Sequence, residues 1–215
     1  MKIKICGLTQ GRDIDFVNEA KPDYIGFVFA PSKRQISFEQ AFILKQKLSS
    51  AISSVGVFVD APIADIAELY QNGIITIAQL HGAEDSAYID GLKKCCNISV
   101  IKAFNPSLNP SIVSMETISR IAPNINYFLF DNVHAGSGTQ FDWRILEGIK
   151  SNKLDKPFFL AGGISLNNVH DAAAYSPYAV DVSSGVETDG AKDRKKIIQL
   201  VNAVRKLEKL EKSKN

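Results

Sequence analysis

The sequence predicts an α/β fold of the (β/α)₈ TIM-barrel type, a single domain over residues 1–207. Three observations lead there. Eight strand-like runs alternate strictly with eight helix-like runs. Each pair takes about 25 residues, the scale of one strand, one helix and their short connections. The length of 215 residues is one that α/β barrels reach as a single domain. Strict alternation implies parallel strands joined by right-handed crossovers, and eight such units suit a closed barrel over an open sheet.

The elements follow in order. "IKIC" is a strand ending at Cys6, and "RDIDFVNEA" has helical spacing. "DYIGFVF" is the second strand, and "SFEQAFILKQKLSS" a helix with Ser37 as its N-cap. "SSVGVFV" precedes the helix "APIADIAELYQNG", which Gly73 stops. "ITIAQL" precedes "EDSAYIDGLKKCC", and "ISVIKAF" precedes a helix somewhere within 109–121. "NYFLFD" is followed by the short helix "DWRILEGIK", and "PFFLA" by "LNNVHDAAAY". "YAVDVSS" is the last strand. The last helix starts near Asp193 and places Ile197, Val201, Val204 and Leu207 on one face. The charged stretch 208–215 is expected to leave it as a fraying tail.

Composition narrows the function. The formal net charge is +2, which argues against a broad nucleic-acid or membrane footprint and leaves room for a local anion pocket. No apolar run reaches the length of about 18 residues that a membrane span requires. "MKIKIC" alternates polar and apolar residues and lacks the apolar core of a signal peptide. A cytoplasmic protein acting on a small molecule is expected. Monomer and homodimer remain equally open. The cysteines, Cys6, Cys95 and Cys96, are odd in number and lack CxxC spacing, so neither a disulfide framework nor a zinc site is expected. Cys95 and Cys96 read as packing residues.

In a barrel of this kind, functional groups gather where strands end. Three glycine-rich turns lie there: "AGSGT" with Gly136, Ser137 and Gly138, "AGGIS" with Gly162 and Gly163, and "SSGVE" with Ser183, Ser184 and Gly185. Glycine lets backbone N–H groups approach an anion, and the turns after strands seven and eight commonly hold phosphate. Taken together, the three turns point to a phosphate site. No GxxxxGK[ST] sequence occurs, so a nucleotide P-loop is not indicated.

Alternation also sorts the first strand. Ile3 and Ile5 share the face that suits the helices, so Lys4 and Cys6 face the axis. A lysine beside Cys6 is expected to favour its thiolate. On strand six, Tyr127, Leu129 and Asp131 share a face, and Asp131 ends the strand. Two readings stand side by side. Cys6 is a base and Asp131 a partly buried acid that keeps its proton; or Cys6 is a small buried hydrophobe and Asp131 a helix cap or the partner of a cation.

"KICGLT", "QLHG", "GSGTQFDW", "LAGGIS", "DVSSGVE" and "GAKD", in that order, resemble the phosphoribosylanthranilate isomerase family of tryptophan biosynthesis. The resemblance implies a (β/α)₈ barrel that converts N-(5′-phosphoribosyl)anthranilate to 1-(2-carboxyphenylamino)-1-deoxyribulose 5-phosphate. This Amadori rearrangement needs neither metal nor organic cofactor. By the family pattern Cys6 is the general base, Asp131 the general acid, and Arg34 the group that holds the anthranilate carboxylate. The glycine-rich turns match the phosphate site. Gln79 and His81 match as residues around the substrate, His81 as support or as an ordinary loop residue. One departure is "NVHAGSGT", where a more glycine-rich entry is expected; His134 and His170 belong to no motif and are expected at the surface. The rivals are another phosphate-binding barrel, of the indole-glycerol phosphate synthase or pentose-phosphate epimerase type, and a non-catalytic barrel that binds a phosphate ligand.

Overall fold

The computed structural model describes residues 1–105, 115–131, 143–144, 146 and 156–212. Eight parallel strands close into a barrel in sequence order: β1 Lys2–Cys6, β2 Tyr24–Val28, β3 Ser53–Phe58, β4 Ile77–Leu80, β5 Ser99–Phe104, β6 Tyr127–Phe130, β7 Phe158–Leu160 and β8 Ala179–Val182. The helices between them are α1 Gly11–Ala20, α2 Phe38–Lys47, α3 Ile63–Gln71, α4 Ser86–Cys95 and α5 Met115–Ile121, then a helix at Val169–Ala174 and a C-terminal one at Arg194–Lys212. Most of the expected sixth helix, "DWRILEGIK", lies outside the described residues.

Local chemistry fixes the helix ends. The Asp13 carboxylate of α1 accepts from the backbone N–H groups of Thr9 and Gln10, at 2.9 and 3.0 Å, so it satisfies donors the helix leaves free. Ser37 caps α2 as expected, its Oγ accepting from Gln40 N. Gly73 takes φ +67° just past α3, the left-handed turn that ends a helix. The last helix runs on to Lys212, farther than the charged composition of its end suggests. Cys96 is buried, but Cys95 is exposed, so only one of the pair packs. His170 is exposed.

Strand alternation separates two apolar layers. Ile3, Ile5, Phe128 and Phe130 belong to the outer layer with helix residues such as Ile14, Val17 and Val204. Tyr24, Val55, Ile77, Ile101, Leu129, Phe159 and Ala179 fill the axis. At the end where the strands begin, Tyr24, Tyr127, Tyr178 and Phe159 pack ring against ring, and the hydroxyls of Tyr24 and Tyr178 are 2.8 Å apart. This floor closes the barrel, so a small ligand enters from the strand-end side. Closure pairs the first strand with the last, Lys4 opposite Asp181, while β2 sets Gly26 opposite Cys6. Among the described residues no helix is long and apolar enough to cross a membrane.

Candidate active site

Cys6 ends β1 on the inward face, with 8% of its surface exposed. Gly26 on the neighbouring strand makes room for it: a Cβ there would stand 2.6 Å from Sγ. Directly below, Lys4 is fully buried and its Nζ donates to Asp181 Oδ2 at 2.8 Å. Lys4 does pull the thiol toward its thiolate as expected, but the net shift runs the other way. Burial pushes the Cys6 pKa up and outweighs the attraction of Lys4, while the Asp181 carboxylate pushes the same way. Burial alone would lower the Lys4 pKa, but Asp181 and Cys6 together raise it. Lys4 thus serves both Asp181 and the thiol, and its pull on the thiol is overcome chiefly by burial.

Asp131 follows β6 and is 8% exposed. Its inward direction follows from Leu129, two residues earlier, which lies in the axial layer. His81 Nε2 approaches Asp131 Oδ2 to 3.9 Å, and Gln79 Nε2 lies 3.1 Å from His81 Nδ1. Burial, reinforced by the Lys4 charge, lowers the His81 pKa to about 4. The imidazole is therefore neutral at physiological pH, and its approach to Asp131 is not an ion pair. Gln79 Oε1 and Asp181 Oδ1 are buried acceptors without a partner among the described residues. Both belong to inward-facing positions, where a ligand's hydroxyl or N–H groups would satisfy them.

Arg34 comes from the loop after β2. Its Nε and Nη2 donate to the two oxygens of Glu187 at 2.7 and 2.8 Å, a planar fork on a planar carboxylate. Lys192 Nζ reaches Glu187 Oε1 at 2.7 Å and the Ser183 carbonyl at 3.0 Å. Burial works against the Glu187 charge, but hydrogen bonds from Arg34 and Lys192 hold its pKa down at about 2. Gly7, at φ +79°, lets Arg34 pass, since a Cβ there would run into Arg34 Cδ. Arg34 is thus built into the rim and is no free surface cation.

The turns after β7 and β8 lock together. Gly162 and Gly163 take φ +83° and +72°, conformations that suit glycine. Asn168 bridges the first turn by donating to Gly163 O and accepting from Ser165 N. A Cβ on Gly185 would run into the Ile164 carbonyl. Ser184 and Gly185 belong to a short 3₁₀ turn, Ser184–Val186, and Ser183 Oγ donates to the Cys6 carbonyl at 3.1 Å. Gly136, Ser137 and Gly138 lie outside the described residues. Among the described residues, Cys6, Arg34, Gln79, His81, Asp131, Gly162, Gly163, Ser183, Ser184 and Gly185 all stand at strand ends or in the loops that follow them.

The sequence pattern does not single out Asp181, Glu187 or Lys192. The only signal for them is that each lies in or beside the "DVSSGVE" and "GAKD" motifs, and nothing in a motif reveals that its carboxylates face residues 4 and 34.

A family model described as N-(5'phosphoribosyl)anthranilate (PRA) isomerase matches residues 3–203. The N-(5'-phosphoribosyl)anthranilate isomerase of Thermoanaerobacter pseudethanolicus is 43% identical over 211 residues, covering 95% of this chain and 98% of the relative. The crystal structure of phosphoribosyl anthranilate isomerase from Thermus thermophilus superposes with a TM-score of 0.81 at 29% identity, covering 96% of this chain and all of that one. A phosphoribosyl anthranilate isomerase in complex with reduced 1-(o-carboxyphenylamino)-1-deoxyribulose 5-phosphate gives 0.79 at 31% identity, covering 94% and 97%. With the family model spanning nearly all of a closed barrel whose strand ends carry the family motifs, the chain belongs to the N-(5′-phosphoribosyl)anthranilate isomerase family.

Proposed function

We propose that this protein isomerises N-(5′-phosphoribosyl)anthranilate to 1-(2-carboxyphenylamino)-1-deoxyribulose 5-phosphate, with Asp131 as acid and Cys6 as base. The observation that supports this reading is the placement of a buried inward thiol at the end of β1 and a buried carboxyl just past β6, both at the open end of a barrel of this family.

Asp131 gives its proton to the ribose ring oxygen, the C1′–O bond breaks, and the anilino nitrogen's lone pair forms the iminium. That cation acidifies the C2′–H. The Cys6 thiolate takes this proton, the C–H electrons move toward nitrogen, and an enolamine results. The neutral enolamine then tautomerises to the ketone, the C2′ hydroxyl losing a proton as C1′ gains one, so oxidation at C2′ balances reduction at C1′ with no outside electrons. Each positioned proton transfer contributes about 10²- to 10⁴-fold. The raised thiol pKa makes Cys6 a strong base once ionised, and the iminium formed beside it favours that ionisation. Arg34 receives the ring carboxylate. The turns at Gly162–Gly163 and Ser184–Gly185, with Gly136–Gly138, receive the phosphate. His81, neutral and held by Gln79, supports Asp131.

The test uses freshly generated phosphoribosylanthranilate and follows the loss of its fluorescence. Wild type is expected to consume it rapidly, and Cys6→Ala to show almost no turnover at nearly unchanged melting temperature. Wild-type turnover in the variant would move the base elsewhere. Loss with neither protein would leave a phosphate-binding barrel of another activity.

A further inference from the structure

Arg34 has five N–H donors, and the Glu187 fork uses only the Nε and Nη2 side of the guanidinium. The other edge, formed by Nη1 and the second Nη2 hydrogen, has no acceptor among the described residues. That edge is itself a fork of the right width for a second carboxylate. We infer that Glu187 and Lys192 are positioning residues that aim this free edge of Arg34 at the ring carboxylate of the substrate. The inference rests on the proposed reaction and adds to it the device that sets specificity for the carboxylated ring.

The device has three parts. The first is the hairpin itself. Residues Glu187–Thr188 and Ala191–Lys192 pair antiparallel, with Glu187 directly opposite Lys192. The turn between them, Asp189 and Gly190, has φ +52° and +77°, both positive, as in a tight two-residue hairpin. The second is anchorage. Asp193 accepts from Thr188 Oγ1 at 2.8 Å and from the N–H groups of Lys195 and Lys196 at the start of the last helix. Lys196 Nζ donates to Glu187 O at 2.6 Å. The hairpin is therefore fastened to the helix behind it and does not swing with solvent.

The third part is charge balance. The Glu187 and Lys192 side chains are only 7% and 2% exposed, and that of Arg34 11%. An isolated Arg34–Glu187 pair would be neutral and would offer an incoming carboxylate little attraction. Lys192 adds the second cation, so the trio keeps a net charge of one positive unit while the arginine plane stays fixed. Arg34, Glu187 and Lys192 also border a cavity of about 60 Å³ with Gly7, Gln10, Asp13 and Gly190, so the trio faces open space between the start of α1 and the hairpin.

Two explanations of Glu187 make opposite predictions, which makes the idea testable. If Glu187 merely dampened the positive field, Glu187→Gln would strengthen binding of an anionic ring. If it aims the fork, the same change places an amide N–H₂ against the donors of Arg34 or Lys192, the plane turns, and binding weakens. The probes are reduced 1-(o-carboxyphenylamino)-1-deoxyribulose 5-phosphate and its counterpart built on aniline, which keeps the phosphate and lacks the carboxylate. Calorimetry gives the preference of each protein for the first over the second.

Wild type is expected to prefer the carboxylated probe. Glu187→Gln should cut that preference about tenfold, the worth of one charge-assisted hydrogen bond, with the aniline probe bound as before. Lys192→Met should cut it as well, and Glu187→Gln should add nothing in an Arg34→Lys background. An unchanged or increased preference in Glu187→Gln overturns the inference and leaves the reaction intact. Equal weakening of both probes also overturns it, since Glu187 would then be scaffolding for the whole rim. A wild type with no preference removes the substrate reading and this inference together.

Discussion

Gly26→Ala puts the catalytic geometry itself under test. Gly26 lies opposite Cys6 across the first pair of strands, and an added Cβ would stand 2.6 Å from Sγ and 3.2 Å from the Cα and Cβ of Cys6. Non-bonded heavy atoms rest at about 3.5–4.0 Å, so the thiol has to retreat by about 1 Å or change rotamer. The φ of Gly26 is not positive, so the substitution adds a contact and no backbone strain. Overpacking of this kind costs about 1–3 kcal/mol of stability. A misplacement of about 1 Å at a reacting group can cost about 10²-fold in rate. The expected result is a kcat lowered about a hundredfold with KM little changed, because the proposed carboxylate and phosphate contacts come from Arg34 and from the turns after β7 and β8, away from the Gly26 Cα. The assay is the fluorescence progress curve, with circular dichroism melting to record the packing cost. A kcat within about threefold of wild type would refute the claim that proton abstraction depends on where this thiol lies.

Two further outcomes follow from the buried charges. Burial pushes the Cys6 pKa up, so in the free protein the thiolate appears only as pH rises above the ordinary thiol value of about 8.5. The ultraviolet absorbance of wild type minus Cys6→Ala, titrated against pH, should show a midpoint above that value; a midpoint below it would mean Lys4 wins over burial. Elsewhere on the rim, Lys102 Nζ donates to Glu84 Oε2 at 2.8 Å and to Gly82 O at 2.7 Å, and Glu84 accepts from the N–H groups of Asp60 and Gly82. Lys102→Met leaves that carboxylate buried without its cation and should cost about 3–5 kcal/mol in urea unfolding. Adding Glu84→Gln should recover much of the loss.

The barrel was legible because a two-residue period and a 3.6-residue period alternate along the whole chain. The inward placement of Cys6 was legible for the same reason: with Ile3 and Ile5 against the helices, Lys4 and Cys6 have only the axis left. The pairings were not legible. Lys4 meets Asp181 across 177 residues, and Arg34 meets Glu187 across 153. Such contacts depend on the register with which β8 closes on β1, and no local period encodes that. The direction of the thiol's shift is set mainly by burial, which the neighbouring lysine in the sequence does not reveal, with Asp181 adding to it. The hairpin at Glu187–Lys192 leaves no periodic mark in the sequence, because its strands are two residues long.

Closure by the last strand has a consequence for the nascent chain. Asp181, Ser183 and Glu187 all follow β7, yet they hold Lys4, the Cys6 carbonyl and Arg34. A ribosome that has released seven strands has therefore made both the thiol and the carboxyl of the proposed pair but has not yet buried or aligned them. During that interval Lys4 lacks the Asp181 that holds it below the thiol, and Cys6 lacks its seryl anchor. Protection from oxidants arrives in the same step as catalytic competence, with the emergence of the final strand and the hairpin behind it. Refolding should show the same order, with activity and thiol protection returning together and after most of the helix signal.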